Sequence, residues 1–213
     1  MRLLLATTNA NKVREIRGLL AGVPCELITL DAYPAVSAPE ETGRTFEENA
    51  RQKALYYAAV TGELTVAEDS GLEIDALGGA PGVVSARFGG VETSYPQKFV
   101  MLYDALRAAD PAGGRDGADS AARFVCAVAL VRGERVVFEA RGTVEGRIAR
   151  EPKGDGGFGY DPIFFYPPFE RTLAEVPQAQ KSAISHRGAA FRKLREFLLF
   201  GFEQPASQSR DLV

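Results

Sequence analysis

The chain has 213 residues, 46% of them hydrophobic and 25% charged, with a formal net charge of −3 at neutral pH. That length suits one sizeable α/β domain or two small lobes sharing a sheet. The charge balance gives no reason to expect a nucleic-acid polymer as partner, and no apolar run reaches the length of a membrane helix, while a free nucleotide with its metal remains compatible.

Met1 to Ala6 opens like a signal peptide, but its apolar run is short and breaks into Thr-Thr-Asn, so Leu3 to Ala6 reads as a buried strand and the expected location is cytoplasmic. A polar loop follows, then a helix with Val13, Ile16, Leu19 and Leu20 on one face. Glu26 to Leu30 reads as a second strand, and residues 31–44 as a loop rich in Pro, Ala and acid. Thr45 and Glu48 have capping-box spacing, which predicts a helix to about Thr61. The short apolar run 64–67 predicts a strand that ends in an acidic turn, Glu68-Asp69-Ser70-Gly71. A Gly-rich loop covers 77–82, and Pro96 to Ala108 is helical, with the proline in the first turn. Residues 109–120 read as a surface loop. Phe124 to Val131 and Val136 to Ala140 flank a hairpin turn, and a third strand from about Thr143 to Ile148 extends the meander. The last helix is expected from about Ser185 to Phe200. Strand–helix units first and antiparallel strands later predict an α/β fold with a mixed central sheet flanked by helices. One domain over 1–202 and a polar tail at 203–213 are the expected organisation. Cys25 and Cys126 both sit in apolar runs and read as buried thiols, not as a disulfide or a metal pair.

Four polar clusters stand out. Thr7-Thr8-Asn9-Ala10-Asn11-Lys12 lies between a strand and a helix, where backbone N–H groups bind anions; a plain capped loop is the simpler alternative, and the Gly-rich P-loop pattern is absent. Glu68 and Asp69, with Glu40 or Glu41 from the preceding loop, form a carboxylate set of the kind that suits Mg²⁺, which keeps waters and takes its remaining ligands from phosphates. Lys53 can turn from its helix toward those acids. Gly154 to Pro162 carries Phe158 and Tyr160 as possible stacking plates for a base, with Asp161 as an acceptor, or else as aromatics folded into the core. Lys181, His186 and Arg187 gather where the last helix begins, and an Arg there calls for an anion or an acceptor. No cysteine has a histidine near it in sequence and no GxSxG elbow appears, so metal, water and charge must carry any chemistry, as in phosphoryl transfer.

In this order the clusters resemble the noncanonical purine nucleoside triphosphate pyrophosphatases, the inosine/xanthosine triphosphate pyrophosphatases. The matching pieces are Ala6-Thr7-Thr8-Asn9-x-x-Lys12, Glu40-x-x-Gly43, Phe46-x-x-Asn49-Ala50-x-x-Lys53-Ala54, Glu68-Asp69-Ser70-Gly71-Leu72, Gly78-Gly79-Ala80-Pro81-Gly82, Phe158-Gly159-Tyr160-Asp161-Pro162 and Lys181-x-x-x-Ser185-His186-Arg187. The resemblance implies a homodimer of two-lobed α/β subunits with the active-site cleft between the lobes. It implies Mg²⁺-dependent hydrolysis of ITP, dITP and XTP to the monophosphate and pyrophosphate. By motif, Thr7, Thr8, Asn9, Ala10, Asn11, Lys12, Lys53 and Lys181 hold the triphosphate, and Arg87 is a further candidate. Glu40 and Asp69 bind the metal with Glu68 beside them, Asp69 accepts the proton of the attacking water, and Ser70 contacts the nucleotide. Phe158, Gly159, Tyr160, Asp161, His186 and Arg187 form the base pocket. A related pyrophosphatase for pyrimidine or modified nucleotides and a non-catalytic nucleotide sensor are the alternatives.

Overall fold

The computed structural model describes residues 1–109 and 119–201. The polar tail at 203–213 and most of the expected surface loop at 109–120 lie outside these. Among the described residues, seven strands form one sheet in the order β2-β1-β3-β4-β5-β6-β7. β1 (Arg2–Leu5) runs parallel to both β2 (Glu26–Thr29) and β3 (Leu64–Ile74). From β3 onward the pairing is antiparallel through β4 (Ala121–Arg132), β5 (Arg135–Ile148), β6 (Phe164–Tyr166) and β7 (Arg171–Thr172). The mixed sheet is therefore as expected. Among the described residues no helix is long and apolar enough to cross a membrane.

Alternation along the strands builds two cores on opposite faces. Leu3 and Leu5 of β1, with Cys126, Val128 and Leu130 of β4, pack under α1 (Ala10–Leu19) and α5 (His186–Glu196). Leu4 and Ala6, with Val125, Ala127 and Ala129, pack under α2 (Phe46–Thr61). β4 is apolar on both faces because helices cover both. A third core sits at the far end of the sheet, where Leu72, Ile74, Phe124 and Ile148 meet Phe99, Leu102 and Leu106 of α3 (Tyr95–Ala109). α4 (Gln178–Ile184) and the strands β6 and β7 have no counterpart in the sequence reading.

Local signals place the helices. Asn9 Oδ1 accepts from the N–H groups of Asn11 and Lys12 and starts α1. Thr45 Oγ1 accepts from Glu48 N at 3.1 Å and starts α2, while the Glu48 carboxylate takes Arg44 N instead of the N-cap amide. Gly62, at φ 71°, ends that helix.

Two expectations give way. β3 does not stop at Ala67: it continues through Glu68, Asp69, Ser70 and Gly71 to Ile74, paired with β4 from Thr65↔Val131 to Ile74↔Ala122. A ladder along a strand buried on both faces outweighs the turn propensity of Asp-Ser-Gly. The expected separate strands at 136–140 and 143–148 are one strand, β5. Gly142 marks a close approach, not a break: a Cβ there would stand 2.6 Å from the backbone nitrogen of Ala190 on α5.

Candidate active site

A cleft of about 640 Å³ opens over the middle of β3 and β4. Its lining includes Thr7, Thr8, Asn9 and Lys12 from the start of α1, Glu40 and Glu41 from the loop before α2, Lys53 and Tyr57 from α2, and Ser70 and Gly71 from β3. The far side is walled by Ser85, Ala86 and Arg87 of the 3-10 segment Gly82–Arg87, by Tyr95 and Phe124, and by Phe158, Gly159, Tyr160, Asp161, Lys181, His186 and Arg187. Ala10 and Asn11 are not in the wall; Asn11 turns its side chain outward to Arg14, at 2.9 Å.

The strand geometry of β3 divides the two adjacent acids. Side chains alternate in direction, so Glu68 and Ser70 face the α1–α5 side and Asp69 faces α2. Glu68 Oε1 lies 2.7 Å from Lys12 Nζ and 3.4 Å from Arg187 Nη2, and the Cys126 thiol is 3.4 Å from Oε2. Burial would raise the Glu68 carboxyl pKa, but Lys12 and Arg187 outweigh it and hold the group well below the usual range. Glu68 thus orients two cations. Asp69 Oδ2 accepts from Asn49 Nδ2 at 2.9 Å, and Oδ1 lies 3.6 Å from Lys53 Nζ. Burial raises the Asp69 pKa, with Lys53 and Asn49 opposing. It is the acid of the pair whose basicity is increased.

Lys53 also reaches Glu41 Oε1 at 2.6 Å, and Glu41 Oε2 accepts from Arg87 Nη1 at 2.8 Å. Burial pushes the Glu41 carboxyl up, but Lys53 and Arg87 bring it below its ordinary value. Glu40 is exposed at the cleft edge.

At the other end, Ser185 closes α4 and caps α5, its hydroxyl accepting from Gly188 N at 3.0 Å. Lys181 and Arg187 flank this single joint. Lys181 Nζ lies 2.6 Å from Asp161 Oδ2 and 3.2 Å from Glu15 Oε1, while Arg187 Nη1 donates to Glu15 Oε2 at 2.7 Å and Nη2 to Ser70 Oγ at 2.9 Å. Lys12, Glu68, Arg187, Glu15, Lys181 and Asp161 therefore form one chain of alternating charge. The Phe158 ring caps it, 4.9 Å from Lys181 Nζ and 5.5 Å from Arg187 Cζ. His186 stacks on Phe124 at 4.9 Å, and burial together with Arg187 drops its pKa far below the ordinary value, so the imidazole is neutral.

Three sequence expectations shift. Tyr160 is not an exposed stacking plate: it is 3% exposed, and its hydroxyl donates to the Ser85 carbonyl at 2.8 Å. Asp161 is not free to meet a base, because Oδ2 accepts from Phe158 N as well as from Lys181. Lys181, expected among the triphosphate holders, sits under the Phe158 ring beside Arg187. Sequence reasoning missed Glu15 and Asn49 as site residues. Glu15 lies one helical turn from Lys12, and that i,i+3 spacing was the available signal. Cys25 and Cys126 are free thiols, the second buried and the first half-buried.

The model of the Ham1 family matches residues 3–197. A dITP/XTP pyrophosphatase of Gloeobacter violaceus is 48% identical over 192 residues, covering 90% of this chain and 91% of its own. One from an Exiguobacterium strain is 44% identical over 194 residues, covering 91% and 95%. The solved structure of a HAM1 protein from Coxiella burnetii superposes with a TM-score of 0.85 at 40% identity, covering 93% of this chain and 98% of that one.

Proposed function

The chain belongs to the Ham1 family, and from that premise we propose that it hydrolyses ITP, dITP and XTP to the nucleoside monophosphate and pyrophosphate. Two buried polar atoms in the cleft wall carry the reading: Arg187 Nε and His186 Nδ1 have no hydrogen-bond partner among the described residues. A buried unpaired donor costs about 1–3 kcal/mol, so these positions await a ligand with matching groups. The 6-oxo group of hypoxanthine or xanthine is an acceptor for the Arg187 N–H; the 6-amino group of adenine is a donor and leaves it unpaired. Phe158, which already lies over the Arg187 guanidinium, is the face on which a base stacks.

The triphosphate runs from that pocket toward Thr7, Thr8 and Asn9 at the start of α1, with Lys12, Lys53 and Arg87 as cations along the way. Hard carboxylate oxygens without His or Cys are the donor set of Mg²⁺. Among the described residues no three such side chains already converge in a metal cluster, which is compatible with an ion that takes most of its ligands from water and phosphate. Asp69 and Glu40 would hold it, and Glu68, committed to Lys12 and Arg187, would not. The bound ion would neutralise phosphate oxygens and favour ionisation of a water molecule. Asp69, its basicity raised by burial, takes the proton of the water that attacks the α-phosphorus. The water–phosphorus bond forms, the α–β bridging bond breaks, and Lys53 and Arg87 hold the pyrophosphate leaving group. The enzyme then acts on the free nucleotide pool of the cytoplasm, as a dimer of two copies.

Chromatography of products from ITP tests it. IMP and pyrophosphate are expected; IDP with orthophosphate would refute it. A panel of ITP, XTP, GTP, ATP and UTP tests base choice, and a preference for UTP would favour the pyrimidine alternative.

A further inference from the structure

The two segments that Glu41 joins are each fastened by hydrogen bonds that do not involve its side chain. The loop that carries it is fastened by Gly43 N to Asn49 Oδ1 at 2.8 Å and by Arg44 N to Glu48 Oε2 at 2.6 Å. The segment that carries Arg87 is fastened by Ser85 Oγ, which accepts from Leu72 N at 2.9 Å, by the Tyr160 hydroxyl on the Ser85 carbonyl, and by Lys98 on the Ala86 carbonyl. Gly71 lets that segment lie directly on β3: a Cβ there would stand 2.6 Å from the Gly82 carbonyl. Yet the Glu41 side chain joins the two walls of the cleft, its two oxygens 2.6 Å from Lys53 Nζ and 2.8 Å from Arg87 Nη1. One oxygen meets an ammonium and the other a guanidinium, as two phosphate oxygens would. The Glu41 and Arg87 side chains are 27% and 35% exposed, so the carboxylate can leave for solvent.

We propose that Glu41 is the resident counter-anion of the leaving-group subsite, holding Lys53 and Arg87 at the separation that pyrophosphate needs and yielding its place to the phosphates on binding. The proposal rests on the reading that this site releases pyrophosphate. A carboxylate carries a single charge and pyrophosphate several, so the polyanion displaces it. In the empty site the carboxylate keeps two cations from repelling each other apart. In the product complex it competes for them and favours release. Glu41 is then a positioning residue that acts through Lys53 and Arg87.

The test is calorimetric titration of inorganic pyrophosphate alone, in EDTA, into the full-length wild type, Glu41→Gln, Glu41→Asp, Arg87→Gln and the Glu41→Gln/Arg87→Gln double variant. Glu41→Gln is expected to bind pyrophosphate about tenfold more tightly, since it removes a like charge within hydrogen-bond reach of the ligand's cations. Glu41→Asp should return toward wild type. Arg87→Gln should bind more weakly, and the double variant should lose the gain. A purely structural role would lower the melting temperature and leave the affinity unmoved. Unchanged or weaker binding by Glu41→Gln overturns the proposal. So does a variant whose only defect is a higher Mg²⁺ requirement, which would make Glu41 a metal ligand. Wild type that turns over ITP but does not bind pyrophosphate without metal overturns this inference alone. Absence of any pyrophosphate release from ITP overturns the reading beneath it.

Discussion

At the level of single residues the site is a set of decisions made by strand alternation and burial. Asp69 and Glu68 are neighbours in sequence whose side chains leave opposite faces of β3. Asp69→Asn keeps the shape and loses both the charge and the basicity, so pyrophosphate release should fall about a hundredfold or more at unchanged melting temperature. Near-normal turnover would move the base elsewhere. EDTA should abolish the wild-type reaction and added Mg²⁺ restore it. Arg187→Ala should lower the ITP-to-ATP ratio of kcat/KM; an unchanged ratio would confine Arg187 to the fold. Glu15 and Glu68 have folded-state pKa values below their unfolded ones, with burial opposed by Arg187 and its lysine neighbours. Their stabilising contribution is therefore present above the ordinary glutamate value and is lost as pH falls through the lowered folded one. Denaturant midpoints followed downward from about pH 4.3 should drop more steeply in wild type than in Glu15→Gln. The cations and acids in motifs were legible in the sequence. Glu15 was not, because a helix acid reads as solvated until its partners, Lys181 of α4 and Arg187 of α5, are in place.

At the level of elements, hydrophobic period and capping chemistry located β1, β2, α2 and α3 within a residue or two, and showed that a helix, α1, follows the first polar loop. The two wrong boundaries have one cause: local turn signals were overruled by partners distant in sequence. Ser70-Gly71 looked like a turn but pairs with Cys126 and Val125. Residues 136–140 and 143–148 were expected as separate strands, but Gly142 between them is where α5 rests on the sheet. Gly142→Ala should accordingly cost about 1–3 kcal/mol, as overpacking does, visible as a lower melting temperature. A silent substitution would mean that α5 can lift away. Tyr160→Phe leaves the Ser85 carbonyl without its donor and should cost about 1 kcal/mol. If Tyr160 instead served as a stacking plate, that change would leave stability untouched. The two-residue β7 and three-residue β6 were too short to read, since they are held by pairing alone.

At the level of the whole molecule, two cores back the first half of the sheet and a third backs its far end, with the cleft over the stretch between. Val84, Val91, Val100 and Met101 are exposed on and near α3 and the segment before it, and a second copy is the occupant we expect there. Sedimentation at micromolar protein should give a dimer mass, reduced by Val100→Glu; a monomeric wild type would contradict this. The chain of alternating charge from Lys12 to Asp161 has a consequence for how the protein tolerates change. Three positive and three negative groups cancel, and they draw on α1, β3, α4, α5 and the 3-10 segment Asp161–Ile163. Neutralising one member strands an odd charge inside the protein, whereas neutralising two adjacent members of opposite sign does not. One-at-a-time scanning would therefore score all six as indispensable, and paired replacements would show how few are needed for chemistry and how many only keep their neighbours company.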